Sequence, residues 1–226
     1  MTIKAIITGA TGMVGEGVLL ECLHDPAVTE VLVLGRKASG YAHPKLRELL
    51  HANFEDLSAI ESQLTGYDAC FYCAGISAVG VSKAAYERFT YDTTLAAAQT
   101  LARLNPGMAF CYVTGAGTDG TERGRSHWAR VKGRTENALR RLPFRAVYLF
   151  RPGYLHPTPG QRNVLKMYKF LSWLYPVLRR VAPRTASTLR EMGRAMIAAA
   201  RDGYPRPVLE VPDIVALARG NVATPA

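Results

Sequence analysis

The chain has 226 residues, nearly half of them apolar, and a formal net charge of +10. That length suits one compact unit with a sizeable core, and no apolar run approaches the length of a membrane-spanning helix. No charged leader with an apolar stretch and a small-residue cleavage site opens the chain, so no secretion signal is expected. A basic balance admits nucleic acid, a membrane surface or an anionic ligand. No aromatic-interleaved basic motif stands out, so nucleic acid is not an expected partner, and the charge is read first as a solvated surface.

Lys4 to Thr8 reads as the first strand and Met13 to His24 as the first helix. Between them lies Thr8-Gly9-Ala10-Thr11-Gly12-Met13-Val14-Gly15. A glycine loop that follows a strand and opens a helix is the setting of a dinucleotide phosphate loop. Gly9 permits the tight turn, Gly12 lets a pyrophosphate approach the backbone, and Gly15 lets the helix close on the strand. Asp25-Pro26 ends the helix.

The second strand, Glu30 to Leu34, runs into Gly35-Arg36-Lys37. An NAD site usually has an acid near this point to hold the ribose hydroxyls. Here two cations stand instead, and a guanidinium can grip the 2′-phosphate of NADP through paired hydrogen bonds. NADP(H) is therefore the expected cofactor, with NAD(H) as the alternative.

A third strand is expected over His51 to Phe54 and a helix over Leu57 to Leu64. Then come a strand over Ala69 to Cys73, a long helix over Lys83 to Leu104, a strand over Ala109 to Thr114, a helix over His127 to Arg141 and a strand over Arg145 to Phe150. Strands alternating with helices imply right-handed crossovers and a parallel sheet of about seven strands covered on both faces: an α/β, doubly wound, Rossmann-type fold. Cys70 and Cys73 form a CxxC pattern, but three residues apart on a strand they point to opposite faces. With Cys22 and Cys111 they are read as small apolar residues in a reduced, cytoplasmic setting, and no metal is expected.

Beyond Arg151-Pro152-Gly153 the chain changes character. Pro157, Pro159 and Gly160 break it. A basic, aromatic helical stretch runs from Asn163 to Val181 with an interruption at Pro176, a further helix runs from Ser187 to Arg201, and Val208 to Val211 suits a last short strand. The chain reads as a single domain, 1–226. Residues 1–155 form the dinucleotide-binding core, and 156–226 form a substrate-side cover that also closes the sheet edge. Tyr168, Phe170, Trp173, Leu174, Tyr175 and Leu178 alternate with Lys166, Lys169, Arg179 and Arg180. That mixture admits a membrane-surface helix or a homo-oligomer interface. The preferred reading is a cover whose apolar stripe packs on the core, since Pro176 would kink a long surface helix.

Over residues 3 to 155 the sequence resembles the short-chain dehydrogenase/reductase superfamily, in its atypical, epimerase-like branch. Thr8 to Gly15 matches that family's TGxxGxxG loop. Asp56-Leu57 matches its adenine-contacting pair, Cys73-Ala74-Gly75 its turn along the cofactor, and Tyr91-Asp92 with Thr94 its asparagine-containing stretch. Arg151-Pro152-Gly153 matches the turn near the nicotinamide. The family's chemistry rests on a Ser or Thr after the fifth strand and a Tyr-x-x-x-Lys pair on the next helix. Lys132 matches the lysine, which implies a grip on the nicotinamide ribose, but Trp128 holds the tyrosine position. An indole N–H donates a hydrogen bond and cannot shuttle a proton near neutral pH. The serine position falls on Thr114 or Gly115, depending on register.

Trp128 is either a packing residue or a wall against which a flat substrate stacks. His127 and Tyr154 are alternative acid-base or substrate groups, and Ser126, Asp119 and His156 are near the expected mouth of the site. Two functions follow. One is an NADP-dependent oxidoreductase or epimerase-like enzyme with an altered acid-base group, acting on a small molecule that these residues do not identify. The other is a sensor or scaffold that binds NADP(H) without turnover.

Overall fold

A computed structural model describes residues 1–164, Trp173 and residues 175–220. Strand β1 (Ile3–Thr8) sets the frame. Ile3, Ala5 and Ile7 belong to one buried apolar cluster, whereas Ile6 belongs to a second on the other face of the sheet. This two-sided burial is what a central parallel strand requires.

Around β1 lie β2 (Val28–Gly35), β3 (Leu46–Leu50), β4 (Ala69–Tyr72), β5 (Ala109–Val113), β6 (Ala146–Arg151) and β9 (Val208–Glu210). They form one seven-stranded sheet in the order β3-β2-β1-β4-β5-β6-β9, and every pair is parallel. The chain leaves β1 in one direction to β2 and β3, then crosses to β4 on the other side. In such a Rossmann-type sheet the switch between β1 and β4 opens a crevice at the carboxyl ends of the strands. Cys70 lies in the cluster on one face of the sheet, and Cys73 packs against the cluster on the other.

Helix α1 (Met13–His24) covers one face together with α6 (Leu189–Asp202). Thr188 and Glu191 cap α6 reciprocally: each side chain accepts the other's backbone N–H, at 2.9 Å. The opposite face carries the helical run 83–104 and α4 (His127–Leu139).

Several elements depart from expectation. The third strand is Leu46–Leu50, not His51 to Phe54. It is the sheet's exposed edge, so its apolar pattern is weak, and the His51 N–H to Gly35 carbonyl bond leads the chain off into a turn. Residues 58–63 form a 3₁₀ helix. The expected helix from Lys83 is divided into α2 (Lys83–Glu87), a π-helical turn (Arg88–Thr93) and α3 (Thr94–Leu104).

A small parallel ribbon, β7 (Tyr154–His156) with β8 (Ala186–Thr188), and a final helix, α7 (Val211–Ala218), have no counterpart in the sequence reading. In the tail, α5 spans Tyr175–Val181. Pro176 is its second residue, where no intrahelical donor is needed. Within α5, Tyr175, Leu178 and Arg179 are half-buried, whereas Pro176, Val177, Arg180 and Val181 are exposed. Tyr168, Phe170, Leu174, Lys166 and Lys169 lie outside the described residues.

Candidate functional site

A cleft of about 640 Å³ opens at the switch point. Its floor is the glycine loop. Gly9 adopts φ +72°, and a Cβ there would stand 2.7 Å from the Cys73 and Ala74 backbone. A Cβ at Gly15 would stand 2.2 Å from the Gly9 carbonyl oxygen, so the helix docks on the turn only because position 15 has no side chain. Gly12 differs: its nearest neighbour would be 3.3 Å away. Its open side belongs to the cleft, as do Ala10 and Thr11. No side chain caps the start of α1, which leaves the amide end of that helix to an anion.

The flanking loop residues play supporting parts. Thr8 is fully buried, and its hydroxyl accepts the Ala74 N–H at 3.2 Å, tying β1 to the turn after β4. Met13 is buried, and Val14 packs against the core. Cys73, Ala74 and Gly75 line the cleft.

At the end of β2, Arg36 and Lys37 line the same cavity, and both are exposed. The opposite wall comes from Asn53, Phe54 and Glu55, and from Arg88, Phe89 and Thr93 on the π-helical turn. Asp56 and Leu57, expected here, stand off the cleft: Asp56 accepts the Ser58 N–H at 3.0 Å, and Leu57 is in the core. The displaced third strand accounts for this, because it puts residues 52–55 at the strand end. The cleft's acid, Glu55, is already engaged. Arg88 donates to its two oxygens at 3.0 and 2.9 Å, and the Thr93 hydroxyl donates at 3.0 Å. These partners, Arg88 first, hold its carboxyl down at about 2.

A second cluster of candidate residues, none of which lines that cleft, forms where β5, β6 and α4 meet. Trp128, Lys132 and Glu136 recur every fourth residue and share one face of α4. Lys132 Nζ donates to the Thr114 carbonyl at 2.5 Å. Burial pushes its pKa down to about 8, with Glu136 opposing. Glu136 is 1% exposed, and Arg151 donates to both of its oxygens.

Thr114 and Gly115 differ in what surrounds them. The Thr114 hydroxyl donates to Glu136 at 2.7 Å and lies inward. The Thr114 hydroxyl thus ties β5 to α4, and it also donates to the Phe150 carbonyl at 3.2 Å. At Gly115 a Cβ would meet nothing within 4 Å, so the open position carries no side chain. Trp128 is half-buried, with its ring beside Gly117.

The other candidates scatter. His127 turns toward Glu87, at 3.9 Å, and the Tyr86 ring. Asp119 holds its own loop through Thr121 and Gly124. Ser126 precedes α4 without a side-chain cap. The Pro152 carbonyl accepts the Ala116 N–H at 2.8 Å, and Gly153 is backed by the Thr185 carbonyl, so that turn braces the site from behind. Tyr154 is on β7, and His156 stacks on Tyr175 at 4.2 Å, where burial lowers its pKa.

A buried carboxylate unremarked in the sequence ties the site to the tail. Glu16, in the first turn of α1, accepts the Tyr41 hydroxyl at 2.5 Å and the Arg162 and Asn163 N–H groups at 2.7 Å. Gln161 donates to the Met13 carbonyl at 2.6 Å. Burial would raise the Glu16 carboxyl, but these hydrogen bonds more than offset it and its pKa is lowered. Glu136 was legible as the next same-face residue after Trp128 and Lys132. Arg88, Phe89 and Glu55 had no such signal, because the π turn that gathers them has no sequence signature.

Among curated proteins, the chain is 28% identical over 167 residues to the mitochondrial protein fmp52 of Emericella nidulans, covering 70% of this chain and 67% of that protein. It is 26% identical over 179 residues to HTATIP2 of Rattus norvegicus, covering 75% and 73%. Among solved structures, WbmG of Bordetella bronchiseptica in complex with NAD superposes with a TM-score of 0.67 at 13% identity, over 99% of this chain and 79% of that one. At that identity the likeness speaks for the fold. The model of the NAD dependent epimerase/dehydratase family matches residues 5–118, half of the chain, and it is to this family that the chain belongs.

Proposed function

We propose that the chain binds NADP(H) in the cleft at the β1–β4 switch point and does so without tyrosine-dependent turnover, as a cofactor-binding sensor or scaffold. The observation that carries this reading is one cavity that joins an uncapped glycine-loop helix to two exposed cations, Arg36 and Lys37. The only cleft acid among the described residues, Glu55, is committed to Arg88 and Thr93. It is therefore not available to select a ribose hydroxyl over a 2′-phosphate.

The residues fit the dinucleotide. Gly12 and Thr11 would hold the pyrophosphate, Phe54 and Phe89 would flank the adenine, Arg36 and Lys37 would take the 2′-phosphate, and Lys132 would hold the nicotinamide ribose. When bound, the cofactor supplies a hydride; the chain must supply the proton. Trp128 cannot, position 115 carries no hydroxyl, and the Thr114 hydroxyl is turned inward.

One observation favours a second reading, an oxidoreductase or epimerase-like enzyme with a relocated acid. Lys132 has its pKa brought to about 8 by burial, within the range at which a lysine can give and take a proton. A carbonyl panel with NADPH separates the two. The first reading expects binding with no turnover in the unaltered protein, and a gain on pairing Trp128→Tyr with Gly115→Ser. Brisk turnover that Lys132→Met abolishes, with NADPH still bound, would establish the second reading and overturn the first.

A further inference from the structure

Helix α5 leaves an apolar row in water. Trp173, Val177 and Val181 are 69%, 54% and 78% exposed, and they recur every fourth residue. At that spacing Val177 and Val181 share one face of α5, and Trp173 falls in register one turn before it. Arg180 and Arg184 follow Val177 and Val181 at three-residue spacing, and both are exposed. Neither makes an ion pair among the described residues, and neither does the exposed Arg219 on the adjoining surface. Between α5 and α7 runs a groove of about 490 Å³, lined by Arg179, Pro183, Arg184, Pro212, Val215 and Arg219. The acids nearby are spent: Glu191 on Arg179, Glu210 on Arg151, and Asp213 on Arg206.

We propose that this face is a peripheral docking surface for an anionic phospholipid bilayer. The charge of this face selects the occupant. An apolar row lined by uncompensated arginines complements a surface that offers acyl chains and phosphates side by side. Valine and tryptophan would sit at the headgroup boundary, while the guanidiniums of Arg180, Arg184 and Arg219 bind phosphate oxygens. An acidic peptide would satisfy the arginines but leave the valines wet. A second copy of the chain would bury the valines while setting arginine against arginine. No helix among the described residues is long and apolar enough to cross a membrane, so the contact lies in the plane of the interface.

The test is flotation of the full chain with vesicles of phosphatidylcholine containing phosphatidylglycerol, against pure phosphatidylcholine. Binding is expected only with the anionic lipid, and it should fall as salt rises toward about 1 M. Arg180→Glu with Arg184→Glu should weaken it about thirtyfold, and Val177→Asp with Val181→Asp should abolish it. NADPH affinity, unchanged in both variants, reports that the fold is intact. Three outcomes would overturn the proposal: no flotation with anionic vesicles, flotation that ignores the valine pair, or a concentration-dependent dimer lost in the valine variant in place of flotation.

Discussion

The cleft and the cluster where β5, β6 and α4 meet are built on different terms. In the cleft, the groups that face the cavity are those a dinucleotide would need: an uncapped helix start, a glycine whose open side lines the cavity, and two exposed cations. In the β5–β6–α4 cluster the scaffold is equally well ordered, but its polar groups face one another. Thr114, Glu136 and Arg151 satisfy themselves, Lys132 is held by a carbonyl, and what faces outward is an indole and a glycine. Binding and chemistry are thus separable in such a fold, because the elements that line the cleft are not those that carry the lysine cluster.

The sharpest way to break the comparison is within the loop itself. Gly15→Val would drive a side chain into the Gly9 carbonyl. It should cost about 3 kcal/mol or more, read as a lowered melting temperature or as insoluble protein. Gly12→Val, on the open side, should melt within a few degrees of the parent yet show no NADPH binding by calorimetry. A Gly12→Val protein that binds normally would mean that the phosphates lie elsewhere.

At the end of β2, Arg36→Asp should weaken NADPH by about 10- to 100-fold, since a charge-assisted phosphate contact is lost and a like charge is set against the phosphate. NADH should bind no worse. Equal losses for both nucleotides would indicate a folding defect rather than a specificity contact.

Glu16 probes how firmly the tail is joined to the phosphate helix. Glu16→Gln keeps the size but gives up charge-assisted acceptors for Tyr41, Arg162 and Asn163, and should cost about 2–3 kcal/mol at neutral pH. Because the folded-state pKa is lowered from 4.5, the carboxylate's contribution is present above that value and is lost as pH falls below it. Denaturant melts of parent and variant should therefore converge toward low pH. A gap that stays constant with pH would rule out the charge as its source.

The smallest expected effect belongs to Lys132. Lys132→Met should reduce NADPH affinity by about fivefold. Since burial brings the lysine to about 8, its charge is present below that pH and is lost above it. The parent's advantage over the variant should fade as pH is raised through that value.

How far the sequence reached follows the same division. The strands of the sheet's centre and the glycine loop were legible because buried parallel strands are continuous apolar runs and the loop's spacing has a backbone cause. The third strand was missed because an edge strand such as Leu46–Leu50 is half in water and carries Arg47 and Glu48. The adenine wall was missed with it, since Asn53 to Glu55 reach the cleft only when that strand ends at Leu50. Thr114 was left open between two registers. Its direction depends on Glu136 and Arg151, which are distant in sequence and adjacent only once β6 pairs with β5. The tail is a different case: an amphipathic pattern tells that a helix has an apolar side, not what that side meets.

The central claim is that the cleft is built for a 2′-phosphorylated dinucleotide, and titration calorimetry of the unaltered protein with NADPH and with NADH tests it most directly. The account predicts NADPH binding tighter by about tenfold or more, with the difference shrinking as salt is raised. Equal affinities, or tighter binding of NADH, would contradict it.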